Sequence, residues 1–226
     1  MASCTYSVPD KDASGDNLYG PRICWQPFVD YAWPAWGFNY DYWQDGWGYD
    51  DCCNTDKPLA RCLSAIWLLD YSAPNPSDES WSSPILNWGC RFARNAHDDL
   101  RARCGDGTYV AYSWWGWFTD DRCELYLSFF YGSGVPSRAG TLLHEARHLD
   151  GQGHDANFPS WSAFGAGRSG ADSSWGYEGA WMYDALYLWW YYAAGSQTTT
   201  ALRQQARQRA QFIIDNAFAK HPGYVI

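Results

Sequence analysis

Three of the five histidines in this sequence lie within the eleven residues that run from His144 to His154. Together with Glu145, His148 and Gly151 they form the pattern HExxHxxGxxH. Residues four apart on a helix lie about 40° apart around its axis, so His144 and His148 can direct imidazole nitrogens at one metal ion. Glu145 points about 100° away from His144, close enough to reach a metal-bound water without ligating the metal. The pattern predicts a metal site on a helix.

Gly151 explains how the third histidine can reach the other two. A glycine can adopt the positive φ that ends a helix and turns the chain back, which allows His154 to become a third ligand. Three neutral imidazoles leave the fourth position of a tetrahedral zinc open to water, as in catalytic zinc sites. We expect hydrolysis in which Glu145 takes a proton from that water and passes it to the leaving nitrogen. A histidine cluster without metal and a purely structural zinc are the alternatives.

The segment from His144 to Asp155 resembles the signature of the metzincin clan, zinc metallopeptidases in which the HExxHxxGxxH motif is followed by a methionine turn. The resemblance implies that the three histidines are zinc ligands and that Glu145 is the general base. Asp155 matches the position after the third histidine, where some metzincins also carry Asp. Met182 lies 28 residues after His154, where a methionine turn could lie beneath the metal.

Four further residues are candidates near the site. Glu178 lies 30 residues after His148, and in the gluzincin relatives a later glutamate is the third zinc ligand. It could be a metal ligand or support one, but a capping or surface carboxylate is the favoured interpretation. A second electrophile is expected beside the zinc, and Tyr177, Tyr183 and Tyr187 are close enough in sequence to supply it.

The cysteines predict an oxidising compartment. All eight lie in the first 123 residues and none forms a CxxC pair, so we expect four disulfides rather than a cysteine zinc site. The first residues lack the charged and apolar regions of a signal peptide, which favours a mature secreted domain. The cysteines are Cys4, Cys24, Cys52, Cys53, Cys62, Cys90, Cys104 and Cys123.

Residues 28–51 contain ten aromatic residues and five aspartates. They could form a stacking surface for glycans or a calcium site, although core packing is the stronger interpretation because aromatic rings offer much area for burial. Residues 97–99, His-Asp-Asp, are expected to be exposed on a helix.

Composition limits the class of protein. The 226 residues are 46% hydrophobic, which favours a single folded domain. With 16 Lys and Arg and a net charge of −9, neither nucleic acid nor an anionic membrane is an expected partner. We expect a disulfide-rich, aromatic-rich subdomain over 1–105 and a zinc-site subdomain over 106–226.

The hydrophobic pattern predicts an α+β fold. Its helix-rich, zincin-like catalytic half contains a small antiparallel β-hairpin, and its loop-rich, aromatic N-terminal half is stapled by disulfides. An extended substrate is expected to pair with one hairpin strand. The expected function is that of a secreted zinc metallopeptidase acting on proteins or peptides. A zinc-dependent amidase for cell-wall or glycan-linked substrates and a noncatalytic glycan-binding protein with structural zinc are the alternatives.

Helices are predicted over 59–71, 83–103, 138–150, 177–194 and 199–219, strands over 108–118 and 123–131, and irregular loops over 1–57.

Overall fold

The computed structural model describes residues 25–73, 84–114 and 121–226, which form a mixed α/β structure that is about 51% helical. Within these ranges no helix is both long enough and apolar enough to cross a bilayer. The helices are α1 (Gln26–Ala35), α2 (Pro58–Tyr71), α3 (Pro84–Ala96), α4 (Leu127–Tyr131), α5 (Val135–Leu149), α6 (Ala180–Ala194) and α7 (Thr200–Asn216). The strands are β1 (Leu100–Ala102), β2 (Ala111–Trp114), β3 (Arg122–Leu125), β4 (Ala156–Asn157) and β5 (Ser169–Ala171).

Helix α5 lies at the centre of the fold. It contacts α2, α3, α6, α7 and the strand β2. Pro136 is in its first turn, where a missing backbone N–H costs no helical hydrogen bond. Leu142 and Leu143 are fully buried in the main core, which draws residues from both predicted subdomains. This packing fixes the helix that carries the first two histidines of the motif.

The larger sheet has the strand order β1-β3-β2. Strands β2 and β3 are antiparallel, with Ser113 opposite Cys123, so the predicted hairpin is confirmed where both strands are described. Residues 115–120, which include the end of the first predicted strand, lie outside the described residues. Strand β1 is parallel to β3, so β2 is left at the edge of the sheet as the structure describes it.

Two boundary predictions are wrong because partners distant in sequence decide the structure. The helix predicted over 83–103 ends at Ala96, and the chain then forms β1, where the N–H of Leu100 donates to the carbonyl of Gly37 at 2.6 Å. The strand predicted over 123–131 stops at Leu125, and α4 follows. In α4 the consecutive residues Phe129 and Phe130 are both buried, which a helix surrounded by core allows.

The prediction of irregular loops over 1–57 is wrong for α1, while residues 1–24 lie outside the described residues. A proline in the first turn starts α1, and Phe28 and Ala32, four positions apart, bury one face of it. Trp36 and Trp43 are fully buried beyond it, and the rings of Phe38 and Trp43 meet edge to face at 4.9 Å. These aromatic residues form core.

The prediction of four disulfides is wrong, because four of the eight cysteines carry free thiols. Cys62 and Cys123 are buried inside α2 and β3, where a thiol packs as a small apolar group. The Cys90 thiol donates a hydrogen bond to Asp70 Oδ1 at 3.0 Å. The free thiols are Cys52, Cys62, Cys90 and Cys123, and the disulfide-bonded cysteines in the described ranges are Cys53 and Cys104.

Candidate metal centre

His144 and His148 lie on successive turns of α5 and direct their rings at the same point. Their Nε2 atoms are 3.2 Å apart, and their rings meet nearly at right angles with centroids 4.8 Å apart. Two nitrogens bound tetrahedrally to one zinc at 2.0 to 2.1 Å are about 3.3 Å apart. The spacing of the two atoms therefore fits a pair of zinc ligands.

The turn after α5 brings the third histidine back to the first two. Gly151 has a φ of 87°, and its N–H donates to the carbonyl of His148 at 2.9 Å. The N–H of Gln152 donates to the carbonyl of Arg147 at 3.2 Å, which completes a Schellman motif. The ring of His154 then lies 4.7 Å from that of His148. The positive φ predicted for this glycine is confirmed.

Hydrogen bonds fix which nitrogen of two rings is free to bind metal. Nδ1 of His148 is 2.7 Å from the carbonyl oxygen of Gln152, and Nδ1 of His154 is 2.8 Å from Asp172 Oδ1. A carbonyl and a carboxylate only accept hydrogen bonds, so each Nδ1 carries the proton. The Nε2 lone pairs of both rings are therefore available to a metal.

Asp172 supports the site but was missed in the sequence. Its side chain is fully buried, and Oδ2 accepts the N–H of Trp181 at 3.1 Å while Oδ1 holds His154. The Trp181 ring lies 4.4 Å from that of His144 and stacks on that of His154 at 5.7 Å. Asp172 lies 18 residues after His154 in a glycine- and serine-rich stretch, where no spacing rule marks it.

Burial sets the charge state of the site. It lowers the pKa of His148 to about 4 and the pKa of His144 well below its usual value, so both rings are neutral near pH 7. Burial raises the pKa of the Glu145 carboxyl to about 7, and hydrogen bonds from Ser113 oppose that shift. Glu145 Oε2 is buried and has no hydrogen-bond partner among the described residues.

The donor set fits zinc. Ligand atoms of His144, His148 and His154 all lie within 4.8 Å of one another, and neutral imidazoles are among the ligands that zinc prefers. Across residues 25–73, 84–114 and 121–226, this triad is the one group of three or more His, Cys, Asp or Glu side chains close enough to hold a metal. Within those ranges, the aspartates of 28–51 belong to no such group.

The histidines open onto a cavity of about 760 Å³. One wall is the edge strand β2 with the residues before it, and another is the loop between β4 and β5. Ser113 of β2 donates its hydroxyl to the backbone oxygen of Glu145 at 3.2 Å, which holds the strand against α5. The polar and aromatic side chains that line the cavity include Tyr109, Tyr112, Ser137, Thr141, Phe158, Phe164, Arg168, Trp181, Asp184 and Arg209.

Three predicted residues near the motif lie away from the triad. Asp155 is exposed, and its Oδ1 accepts the N–H of Ser173 at 2.7 Å. Glu178 is exposed in a left-handed conformation, and its backbone oxygen accepts a hydrogen bond from Arg147 Nε. Met182 lies in the first turn of α6 and packs in a second apolar cluster, so a methionine turn does not form at that position.

None of the three predicted tyrosines lines the cavity as the structure describes it. Tyr177 donates its hydroxyl to the carbonyl of Gly153 at 2.8 Å. Tyr183 lies beneath the guanidinium of Arg147, and Tyr187 is fully buried with its hydroxyl 2.8 Å from that of Ser72. The cations that do line the cavity are Arg168 and Arg209, which carry no local sequence signal.

Comparisons with known proteins found no match. No family model, no curated protein and no solved structure matches the chain.

Proposed function

We propose that this protein is a zinc-dependent metallopeptidase of the metzincin type. His144, His148 and His154 hold one zinc ion per chain, and Glu145 is the general base. The observation that carries the proposal is the convergence of three imidazoles on a cavity that Glu145 also lines, with its Oε2 lacking a hydrogen-bond partner among the described residues. A purely structural zinc would leave that carboxylate without a function.

Zinc, when bound, acts as a Lewis acid toward the substrate carbonyl and lowers the pKa of a coordinated water. Glu145 takes the proton of the attacking water on Oε2 and then delivers it to the leaving nitrogen. The carbonyl of Gln152 and the carboxylate of Asp172 hold the rings of His148 and His154. The site is therefore preorganised by hydrogen bonds on the side of the rings away from the metal.

Strand β2 is the proposed partner for an extended substrate. It lies at the edge of the sheet, its residues line the cavity, and Ser113 fixes it beside the helix of Glu145. A peptide added along this edge would extend the sheet through backbone hydrogen bonds. Such pairing would place a peptide bond across the histidine triad.

A zinc amidase acting on glycan-linked substrates is a second candidate. The side chains of Tyr109, Tyr112 and Trp114 on and before β2 remain 52%, 38% and 41% exposed. Their rings follow one another at 5.3 and 5.1 Å, an arrangement on which sugar rings can stack. Pull-down on insoluble polysaccharides distinguishes the candidates, because peptidase activity requires no glycan binding.

Secretion is part of the proposal. Cys53 and Cys104 are disulfide-bonded, and stable disulfides form in oxidising compartments.

The test of the function is Glu145→Gln beside Glu178→Gln, assayed on a denatured protein substrate. We expect Glu145→Gln to keep zinc and fold while kcat/KM falls about 10²- to 10⁴-fold, because the amide cannot accept the water proton. Glu178 is exposed and outside the cavity, so its variant controls for loss of a carboxylate elsewhere. Unchanged hydrolysis by Glu145→Gln would overturn the assignment.

A further inference from the structure

The cavity continues past the histidines to a carboxylate that neither the fold nor the zinc site uses. Asp184 lies on α6, three positions after Trp181, and its side chain is 1% exposed. Both of its carboxylate oxygens are buried without a hydrogen-bond partner among the described residues. A buried carboxylate without donors is costly, so a group that enters the cavity and donates to it is stabilised there.

Gly140 allows this carboxylate to reach its position. A Cβ at Gly140 would overlap Asp184 Oδ1 and would lie 3.1 Å from a methyl carbon of Leu188. The carboxylate therefore lies directly against the backbone of α5, one turn before His144. The carboxylate of α6 therefore packs against the same helix that carries the first histidine.

Arg209 of α7 completes the group. Its terminal nitrogen is 3.8 Å from Asp184 Oδ2, which neutralises charge but is too long for a hydrogen bond. Its Nε is buried and has no acceptor in the described ranges. The guanidinium lies 5.8 to 5.9 Å from the ring centres of Phe164, Trp181 and Phe212. Asp184 and Arg209 therefore place two carboxylate acceptors and one N–H donor side by side, none of which has a hydrogen-bond partner among the described residues.

The charge balance of the pair selects among ligands. A cationic side chain could donate to Asp184 but would face Arg209 and leave its Nε unpaired. An anionic side chain could accept from Arg209 but would face the two oxygens of Asp184. A primary carboxamide carries both an N–H donor and a carbonyl acceptor, so it can serve both residues without adding charge.

We propose that Asp184 and Arg209 form a specificity subsite that binds the carboxamide of a substrate glutamine or asparagine. The amide N–H donates to Asp184, and the amide oxygen accepts from Arg209. The ring of Phe164 beside Arg209 offers an apolar wall for the methylene groups. The inference rests on the proposed peptidase function, because it identifies the side chain that such an enzyme selects.

Cleavage-site profiling tests the subsite. The zinc-loaded enzyme is incubated with a proteome-derived peptide library, and the cut sites are read by mass spectrometry. We expect glutamine and asparagine to be enriched about tenfold or more over Glu, Lys and Met at one position beside the cut bond, because a site built to hydrogen-bond its ligand rejects analogues that leave it unpaired. Equal use of the five residues, or a preference for Lys or Glu, would overturn the proposal.

Two variants should shift the selection in opposite directions. In Asp184→Asn the guanidinium has no counter-charge, so the preferred residue should change to Glu. In Arg209→Gln the carboxylate has no counter-charge, so the preferred residue should change to Lys. A merely structural role for the pair would lower the rate without this reversal. Arg207→Gln, exposed on the same helix and outside the cavity, is the matched control and should keep the wild-type profile.

A binding measurement separates failure of the subsite from failure of the proposed function. Capped peptides Ala-Ala-X-Ala-Ala, with X as Gln, Glu, Lys or Met, are titrated into zinc-loaded Glu145→Gln by calorimetry. Tighter binding of the Gln peptide, about tenfold over the Met peptide, would support the subsite even if the wild type cleaves no peptide. Equal affinities would overturn the subsite, whether or not the enzyme cleaves peptides. This readout also applies if an Asp184 or Arg209 variant fails to fold.

Discussion

Two kinds of buried histidine occur in this protein, and they differ in what surrounds the ring. His97 is buried, its Nε2 lies 2.8 Å from the carbonyl oxygen of Leu142, and its ring stacks on Trp36 with centroids 6.1 Å apart. Burial lowers the pKa of His97 to about 4, as it lowers the pKa of His148. Burial and a lowered pKa therefore do not distinguish a site from a core residue. What distinguishes the site is that imidazole nitrogens of several histidines converge beside a cavity.

The same contrast holds between the two larger regions. Around α1 and α2 the aromatic rings pack on one another, as where Trp67 stacks on Tyr71 at 4.0 Å. Around α5 and α6 polar atoms such as Glu145 Oε2 and both oxygens of Asp184 lie buried beside a cavity, with no hydrogen-bond partner among the described residues. Around α1 and α2, Trp36 Nε1 and Asp70 Oδ2 are also buried without a partner among the described residues, but they do not border this cavity, so only the second region offers its hydrogen-bonding capacity to a ligand there.

The largest expected effect separates the two histidine environments directly. His148→Ala should lower zinc affinity by several orders of magnitude, because it removes one of three ligands. His97→Ala should keep zinc but lower the free energy of unfolding by about 2 to 4 kcal/mol, since it leaves a cavity beside Trp36. Chelator competition and denaturant titration measure the two quantities. Loss of zinc in His97→Ala, or its retention in His148→Ala, would remove the distinction.

A second effect concerns pH and the aromatic region. Burial raises the pKa of Asp70 to about 6, although its hydrogen bonds act to lower that pKa. The folded state then binds the proton more tightly than the unfolded state, so this group lowers the free energy of unfolding as pH rises from about 4 to above 6. Asp70→Asn should remove that decline, and its stability relative to wild type should improve by about 2 to 3 kcal/mol across the window.

Denaturant titration at several pH values checks the Asp70 prediction. Asp30→Asn is the control, because Asp30 is exposed on α1 and bonds only Gln26 in the described ranges. If the difference in free energy of unfolding between wild type and Asp70→Asn did not vary with pH, burial of the charged Asp70 would not destabilise the folded state, and the prediction would be wrong.

The smallest expected effect tests the support of the metal ligands. Asp172→Asn should lower zinc affinity about 10- to 100-fold, because the charged acceptor that orients His154 is lost. Asp155→Asn alters an exposed carboxylate that bonds Ser173 instead, and it should leave the affinity unchanged. Competition with a fluorescent zinc chelator measures both. Equal affinities for the two variants would place Asp172 among residues that only stabilise the fold.

Local patterns made the centre of the site predictable. The spacing of His144 and His148 depends only on helix geometry, and Gly151 marks the turn that returns His154. Helices α2 and α5 through α7 follow from apolar periodicity and lie close to where it places them. These features involve residues that are near one another in sequence.

Features that depend on distant partners could not be predicted. Asp172 acts through a hydrogen bond to His154, 18 positions earlier, and Arg209 reaches the cavity because α7 packs against α5. Strand β1 exists because β3 and the backbone of Gly37 pair with it. His97 was expected to be exposed, yet its burial depends on Trp36, which lies 61 positions earlier. Periodicity contains no information about such contacts.

The most direct test is metal stoichiometry by mass spectrometry on extensively dialysed wild-type protein beside His154→Ala. The geometry of the triad predicts one zinc per chain in the wild type and its loss, or sharply weakened binding, in the variant. Wild-type protein without zinc would contradict the metal site itself. Full zinc occupancy in His154→Ala would contradict the three-histidine site and would require a ligand outside the triad.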